Sequence, residues 1–142
     1  MLRSNIIIFF ALLIVSTLIY AAASRDYTVT YKNQAGSTFI LTWHPERSDY
    51  GTLDGTFMSA KSVCRKAGDL PAQVNGVFSG NSVAMTISFP KCNKVIAISA
   101  NVDKTAGSLQ TLWVVPSKTT QQAFDSDGSN VISADSFVKI AS

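Results

Sequence analysis

The sequence after residue 24 predicts an all-β domain, best arranged as an eight-stranded antiparallel up-and-down barrel. Three observations support this prediction. Short runs of β-branched and aromatic residues recur, polar or glycine- and proline-containing turns separate them, and no stretch suits a long helix. Closing eight antiparallel strands removes the exposed sheet edges. A sandwich of seven or eight strands would use the same local pattern, so periodicity does not separate the two architectures.

The first three predicted strands span 27–33, 37–43 and 52–60. The turn Gln34–Gly36 joins the first two strands into a hairpin. A polar loop at 44–51 leads to the third strand. Gly55 lies in the middle of that strand, where a barrel strand can bend.

The remaining predicted strands follow with mostly short connections. The clearest is the fifth, Val83–Phe89, in which every second residue is apolar, the period expected of a half-buried strand. A loop at 61–69 precedes the fourth strand, and a long polar loop at 116–130 precedes the eighth. The predicted strands four to eight span 72–79, 83–89, 94–103, 108–115 and 131–140.

The first 23 residues have the pattern of a secretory signal peptide. Arg3 precedes an apolar run of 15 residues, Ile6–Tyr20, and small residues suited to a signal peptidase follow. Cleavage near Ala23 would leave a secreted, extracellular domain of residues 24–142 with no membrane association. The alternative is an uncleaved membrane anchor, which needs about 20 apolar residues.

Charge and composition exclude several classes of protein. Only 15% of the residues are charged, the net charge is +3, and no basic run is longer than Arg65–Lys66. Nucleic acids are bound by a basic face, so they are not expected partners. The single histidine, His44, has no clustered cysteine or carboxylate beside it in the sequence. We therefore predict no metal site and no enzyme.

The two cysteines, Cys64 and Cys92, fall in predicted loops. In an exported chain, two cysteines favour one disulfide bond. Two buried free thiols are the alternative.

Several short motifs, among them Tyr31–Phe39, Gly51–Ser59 and Leu109–Val115, resemble in order and spacing those of the avidin family. Tyr31–Phe39 is similar to the family's aromatic-x-Asn-x-x-Gly-Ser motif, and Gly51–Ser59 to its Gly-x-x-x-Gly-x-Tyr-x-Ser/Thr strand. Leu109–Val115 and Ser133–Phe137 resemble two later strands, and Gln73–Gly76 resembles a turn of the rhizavidin-like members. The resemblance covers almost the whole predicted domain. It implies a biotin-binding barrel without a catalytic cofactor, and a disulfide bond between the loops that carry the two cysteines.

Four polar residues match positions where the family contacts the ureido group of biotin. By resemblance, Asn33 and Ser37 would meet the ureido oxygen, and Ser59 and Asp135 would each meet a ureido nitrogen. A carboxylate in a dry pocket would form a charge-assisted hydrogen bond there. Each residue also has a plainer interpretation, as a turn residue or an ordinary strand residue.

The aromatic walls depart from the family pattern. Phe57 replaces a tyrosine whose hydroxyl usually donates to the ureido oxygen, and Phe89 and Ile98 replace two wall tryptophans. Ile96 falls where a small hydroxyl residue is usual, and only Trp113 is retained. Phe57, Phe89, Ile98 and Trp113 could equally be barrel core.

The resulting functional prediction is a secreted protein that binds and sequesters biotin or a related small molecule. The resemblance favours a homodimer, with a monomer or a tetramer also open. Aliphatics on the outward strand faces, such as Val95, Leu112 and Val114, supply a candidate contact patch. The alternative is a secreted inhibitor or interaction module. It would use the barrel as a scaffold and the loops 44–50 or 119–130 as its working surface.

Overall fold

The computed structural model describes residues 25–60, 71–116 and 130–140. Within these ranges eight antiparallel strands each pair with the next, and the last pairs with the first, so the sheet closes into a barrel. This confirms the predicted barrel and excludes the sandwich, which would leave two separate sheets. The strands are β1 (Tyr27–Asn33), β2 (Thr38–Pro45), β3 (Tyr50–Met58), β4 (Ala72–Ser79), β5 (Ser82–Phe89), β6 (Lys94–Asp103), β7 (Ser108–Pro116) and β8 (Asn130–Lys139).

The alternation in the sequence becomes the inside and outside of the barrel. In β5 every second residue from Val83 to Phe89 is buried, while Ser82, Ala84 and Thr86 are exposed. Successive side chains of a strand point to opposite faces. The apolar set of each strand therefore fills one continuous core inside the barrel.

The boundaries of β2 and β3 differ from the prediction. The predicted loop 44–51 is shorter, because β2 continues to Pro45 and β3 begins at Tyr50. The backbone N–H groups of Glu46 and Arg47 both donate to the Tyr50 carbonyl, at 3.0 and 3.2 Å, which closes a tight hairpin. Its connection, 46–49, is fully exposed.

The predicted third strand is also too long at its end. It was expected to reach residue 60, but β3 ends at Met58, so Ser59 follows the strand instead of lying within it. The backbone N–H of Ala60 donates to the side chain of Ser37, at Oγ and 3.0 Å, and residues 59 and 60 do not continue the ladder.

The other described boundaries lie close to the predicted ones. β4 and β6 have the predicted limits, β5 and β7 differ by one residue at one end, and β8 by one residue at each end. A short 3₁₀ helix, Pro90–Cys92, occupies the predicted loop between β5 and β6. The predicted signal peptide, the loop at 61–69 with Cys64, and residues 117–129 of the long loop lie outside the described residues.

Two glycines meet specific backbone requirements. Gly36 has φ +94° in the turn between β1 and β2, a conformation that residues with a side chain rarely adopt. Gly55 packs against β2 so closely that a Cβ would overlap the carbonyl oxygen of Ile40. This close approach of β2 explains the glycine in the middle of β3, where the sequence predicted a bend.

Barrel closure depends on a short ladder between β1 and β8. Only three residue pairs form it, from Tyr31 opposite Lys139 to Asn33 opposite Phe137. The backbone N–H of Ile140 extends the seam by donating to the Thr30 carbonyl at 3.0 Å. In the described part of the chain no helix has the length and apolar character needed to cross a membrane.

Candidate functional site

The predicted polar residues meet inside one end of the barrel, which we call the Asn33 end. It is formed by the end of β1, the start of β2 and the strand ends beside them. Asn33 and Ser37 are buried there, with 9% and 7% of their surface exposed. Asp135 points inward from β8 and is partly buried. Three residues that are far apart or across a turn in the sequence therefore share one small volume.

Hydrogen bonds fix the orientation of the Asn33 side chain. Its Nδ2 donates to Asp135 Oδ2 at 2.6 Å, and its Oδ1 accepts from the backbone N–H of Ser37 at 2.7 Å. The second carboxylate oxygen, Asp135 Oδ1, accepts from the backbone N–H of Ser136 at 2.8 Å. The amide is thus held between a strand and a turn, and both carboxylate oxygens are anchored.

These bonds leave hydrogen-bonding capacity unused within the described residues. The Asn33 amide has a second N–H, and the Ser37 hydroxyl, which accepts from Ala60, keeps its own O–H to donate. A carboxylate can accept about four hydrogen bonds, so Asp135 can accept more. Counted over the described residues alone, two donors and one anionic acceptor remain at this end.

Ser59, the fourth predicted polar residue, lies just past the end of β3 and is half-buried. It is next to Ala60, whose backbone N–H is bound by Ser37. Ser59 is therefore linked to the Asn33–Ser37–Asp135 cluster through its neighbour Ala60.

An aromatic cluster fills the barrel interior. The rings of Phe57 and Trp113 contact each other, with centroids 5.4 Å apart. Phe39 lies against both of them, at 4.7 and 5.9 Å, and against Phe137 at 4.9 Å. The two predicted wall residues therefore pack directly on one another, supported by two further phenylalanines.

Trp113 is oriented by a polar relay. Its indole Nε1 donates to Thr111 Oγ1 at 2.7 Å, and that hydroxyl donates to the backbone carbonyl of Asp135 at 2.9 Å. Thr111 is 5% exposed. One buried hydroxyl thus connects the retained tryptophan to the strand position that carries the acidic residue.

The other predicted wall residues are buried in the interior. Phe89, Ile96 and Ile98 are 0%, 1% and 3% exposed, and all belong to the same core cluster as Trp113. Ile98 pairs with Trp113 across β6 and β7, while Phe89 lies opposite Lys94 at the Asn33 end. This chain has phenylalanine or isoleucine at these positions. The family pattern that its sequence resembles has tryptophan or a small hydroxyl residue there.

Three residues of this region were not predicted from the sequence: Phe39, Thr111 and Phe137. Each lies two positions from a predicted residue, namely Ser37, Trp113 and Asp135. Since a strand repeats every two residues, this spacing places them on the same inward face. The two-residue period of a strand was the sequence signal that could have identified these three residues.

On the outside of the barrel, His44 bridges two carboxylates. Its Nδ1 lies 2.8 Å from Asp26 and its Nε2 2.9 Å from Asp54. The hydrogen bond to Asp26 and then that to Asp54 raise the pKa of His44 above its ordinary value. Within the described ranges no group of three or more His, Cys, Asp and Glu side chains is placed to hold a metal ion.

Comparison with solved structures identifies the fold. Core-bradavidin has 23% identity and a TM-score of 0.61, over 80% of this chain and 100% of its own. A bradavidin2–biotin complex has 18% identity and a TM-score of 0.59, over 80% and 96%. A shwanavidin variant bound to biotin has 21% identity and a TM-score of 0.55, over 79% and 94%. The chain therefore has the avidin-like barrel fold. No protein-family model matches the sequence, and no curated protein is significantly similar to it.

Proposed function

We propose that this protein is a binding protein for biotin or a closely related small molecule with a ureido group. The observation that carries this proposal is the unused hydrogen-bonding capacity at the Asn33 end. It lies in a fold shared with structures described as biotin complexes. A pre-formed polar cluster loses little entropy when a rigid ligand binds.

The donors and acceptors match a ureido group in kind. A ureido carbonyl oxygen accepts two or more hydrogen bonds, and the second N–H of Asn33 and the O–H of Ser37 can supply two. A ureido N–H needs an acceptor, and the Asp135 carboxylate is one. Ser59 is proposed as the acceptor for the other ureido nitrogen. A carboxylate contact of this kind is stronger than a neutral one.

The walls of the site predict weaker binding than a full aromatic box would give. Phe57 lacks a hydroxyl, which removes a donor worth about 0.5–1.5 kcal/mol in net terms. Phe89 and Ile98 present less area than tryptophan, at a cost of roughly 1–2 kcal/mol each. Together these changes amount to about 3–5 kcal/mol, or roughly two to four decades in Kd if they add. Because Phe57 and Trp113 contact each other, the ligand ring cannot lie between them unless they separate.

Isothermal titration calorimetry with biotin tests the proposal. We expect saturable binding to the wild type, no detectable binding to Asp135→Ala, and tighter binding to the Phe57→Tyr/Phe89→Trp/Ile98→Trp variant. Pentanoate, which matches only the tail of biotin, is the control ligand and should not bind. Unchanged binding to Asp135→Ala would show that the site is assigned wrongly. An absence of binding to all three proteins would reject the function.

We further propose a disulfide bond between Cys64 and Cys92 that supports the Asn33 end. Cys92 closes the 3₁₀ helix beside this end and packs against the core, and no described cysteine is free. A closed loop of about 29 residues would stabilise the fold by roughly 3 kcal/mol in the chain-entropy model. Intact mass after alkylation of the non-reduced protein tests this, since two alkylated thiols would contradict it.

The proposed assembly is a homodimer formed through the outer face of β6 to β8. Val95, Leu112 and Ile132 are 52%, 46% and 66% exposed there, and Val114 is half-buried beside them. Leu112→Asp should shift the protein to monomer in sedimentation velocity. Ile40→Asp, on the outer face of β2 with the same 46% exposure, is the matched control. A wild-type monomer at micromolar concentration would overturn this assembly.

We propose that the protein acts outside the cell and sequesters its ligand. The apolar segment Ile6–Tyr20 and the small residues after it support export, as do the paired cysteines. N-terminal sequencing of protein recovered from the medium tests this. A mature N-terminus near Ser24 is expected, and retention of the full chain in the membrane fraction would contradict it.

A further inference from the structure

The end of the barrel opposite the Asn33 end contains a partly enclosed cavity of about 200 Å³. Its walls include four aromatic side chains. Trp43 lies parallel to Tyr27, with ring centroids 6.0 Å apart and an interplanar angle of 5°, and Phe78 meets Trp43 edge-on at 5.0 Å. Tyr31 also lines this cavity. Flat apolar walls of this kind suit a planar ring.

The walls also carry polar atoms. Burial, and then the neighbouring Tyr27 phenol, raises the pKa of Tyr31 to about 12, and burial raises that of Tyr27. Both phenols therefore stay neutral and keep an O–H to donate. Trp43 Nε1 is buried and makes no hydrogen bond within the described ranges. The two phenol O–H groups are therefore the donors that this part of the wall provides.

The rim is net positive. Among the described lining residues, the charged ones are Lys104, Lys139 and one carboxylate, Asp103. Asp103 Oδ1 accepts the backbone N–H groups of Thr105 and Ala106, both at 2.9 Å. One carboxylate oxygen of Asp103 thus accepts hydrogen bonds from its own turn, while Lys104 and Lys139 line the cavity.

We propose that this cavity is a second ligand site, separate from the Asn33 end, for a small planar aromatic carboxylate of about the size of benzoate. A cavity of about 150 Å³ holds benzene, so this cavity accommodates one ring and a carboxylate. The ring lies among Trp43, Tyr27 and Phe78, and the carboxylate faces the tyrosine hydroxyls and the lysines. A ligand of so few atoms binds with a Kd on the order of 1 mM.

Calorimetric titration of the full protein with sodium benzoate and with benzyl alcohol tests this site. Both probes should bind in a saturable manner, benzoate more tightly. Val102→Phe fills the cavity and should abolish both interactions. Val77→Phe makes the same change on the outer face, where Val77 is 54% exposed, and should affect neither.

The lysines are tested separately. Lys104→Gln/Lys139→Gln should weaken benzoate binding about three- to tenfold and leave benzyl alcohol unchanged. If Val102→Phe does not fold, Tyr31→Phe replaces it and should weaken benzoate binding about two- to tenfold.

Three results would overturn the proposal: no saturable binding of either probe by the wild type, benzoate binding that survives Val102→Phe, or benzoate binding that is lost in Asp135→Ala. The last result would place the probe at the Asn33 end. Since no arm of this experiment uses biotin, its outcome is independent of the proposed function.

Discussion

Asn33 and Asp135, which are 102 positions apart in the sequence, form a 2.6 Å hydrogen bond across the seam between β1 and β8. The backbone ladder of this seam ends at the pair Asn33–Phe137. Asp135 lies two residues further along β8, so the side-chain bond continues the closure where the backbone pairing stops. The same two residues also supply a donor and an acceptor to the candidate site.

Replacing Asp135 by alanine should therefore reduce stability as well as ligand binding. The substitution leaves a buried Asn33 N–H without its acceptor, a loss of about 1–3 kcal/mol in the free energy of unfolding. Urea denaturation measures this loss. Ser136→Ala, at the exposed next position, should stay within about 0.5 kcal/mol of wild type. Equal effects of the two substitutions would contradict a structural role for the seam bond.

Thr111→Val should destabilise the barrel although it preserves the shape of the side chain. It removes the acceptor of the Trp113 indole and the donor to the Asp135 carbonyl, both in the interior. We expect a loss of about 1–3 kcal/mol in the free energy of unfolding, and weaker ligand binding because Trp113 loses its anchor. Thr111→Ser keeps the hydroxyl and should retain most of both properties. A valine variant as stable as the serine variant would show that the relay contributes nothing.

Stability should depend on pH through His44. Hydrogen bonds to Asp26 and Asp54 raise its folded-state pKa above the ordinary value of 6.5. A raised pKa means that the stabilisation is complete below pH 6.5 and is lost as pH rises through the folded pKa. The difference in Tm between wild type and His44→Gln should accordingly be largest near pH ~5 and shrink towards pH ~9. A difference that is constant across this range would indicate that protonation of His44 is not involved.

Two glycine substitutions should compare a position with both steric overlap and backbone strain, Gly55 with φ +157°, and a position with strain alone, Gly80. Gly55→Ala places a Cβ against the Ile40 carbonyl of the neighbouring strand, where the backbone must move. Gly80→Ala meets no atom within 4 Å but adopts φ +60°, so it carries only the left-handed strain of about 1–2 kcal/mol. Thermal unfolding should show a clearly larger loss for Gly55→Ala. The reverse order would mean that β2 and β3 separate easily at this point.

The sequence predicted the outline of the fold well and the ends of its strands less well. The alternation in Val83–Phe89 survives unchanged in the burial of β5, because a period of two fixes which side chains face inward. The end of β3 was wrong by two residues. Ser59 and Ala60 have ordinary strand character, and only the bond between Ala60 and Ser37 turns them out of the ladder.

The candidate site was partly predictable as well. Asn33, Ser37 and Asp135 were recognised from a resemblance in short motifs, and the structure brings all three together. Phe39 and Phe137 were missed, although their spacing from Ser37 and Asp135 places them on the same face. Their role as a floor under Phe57 and Trp113 depends on packing across four strands, which no local pattern encodes.

The sequence by itself determined the all-β class, the number of described strands, the turn at Gly36 and the inward orientation of the polar residues. These follow from local chemistry: the period of two, β-branched side chains and a glycine that tolerates positive φ. Only the tertiary structure decided that Asn33 meets Asp135, that Thr111 anchors Trp113, and that an aromatic cavity lies at the opposite end. Such pairings depend on the register and tilt of the whole closed sheet. No single strand specifies these quantities, so no single strand specifies which distant residues meet.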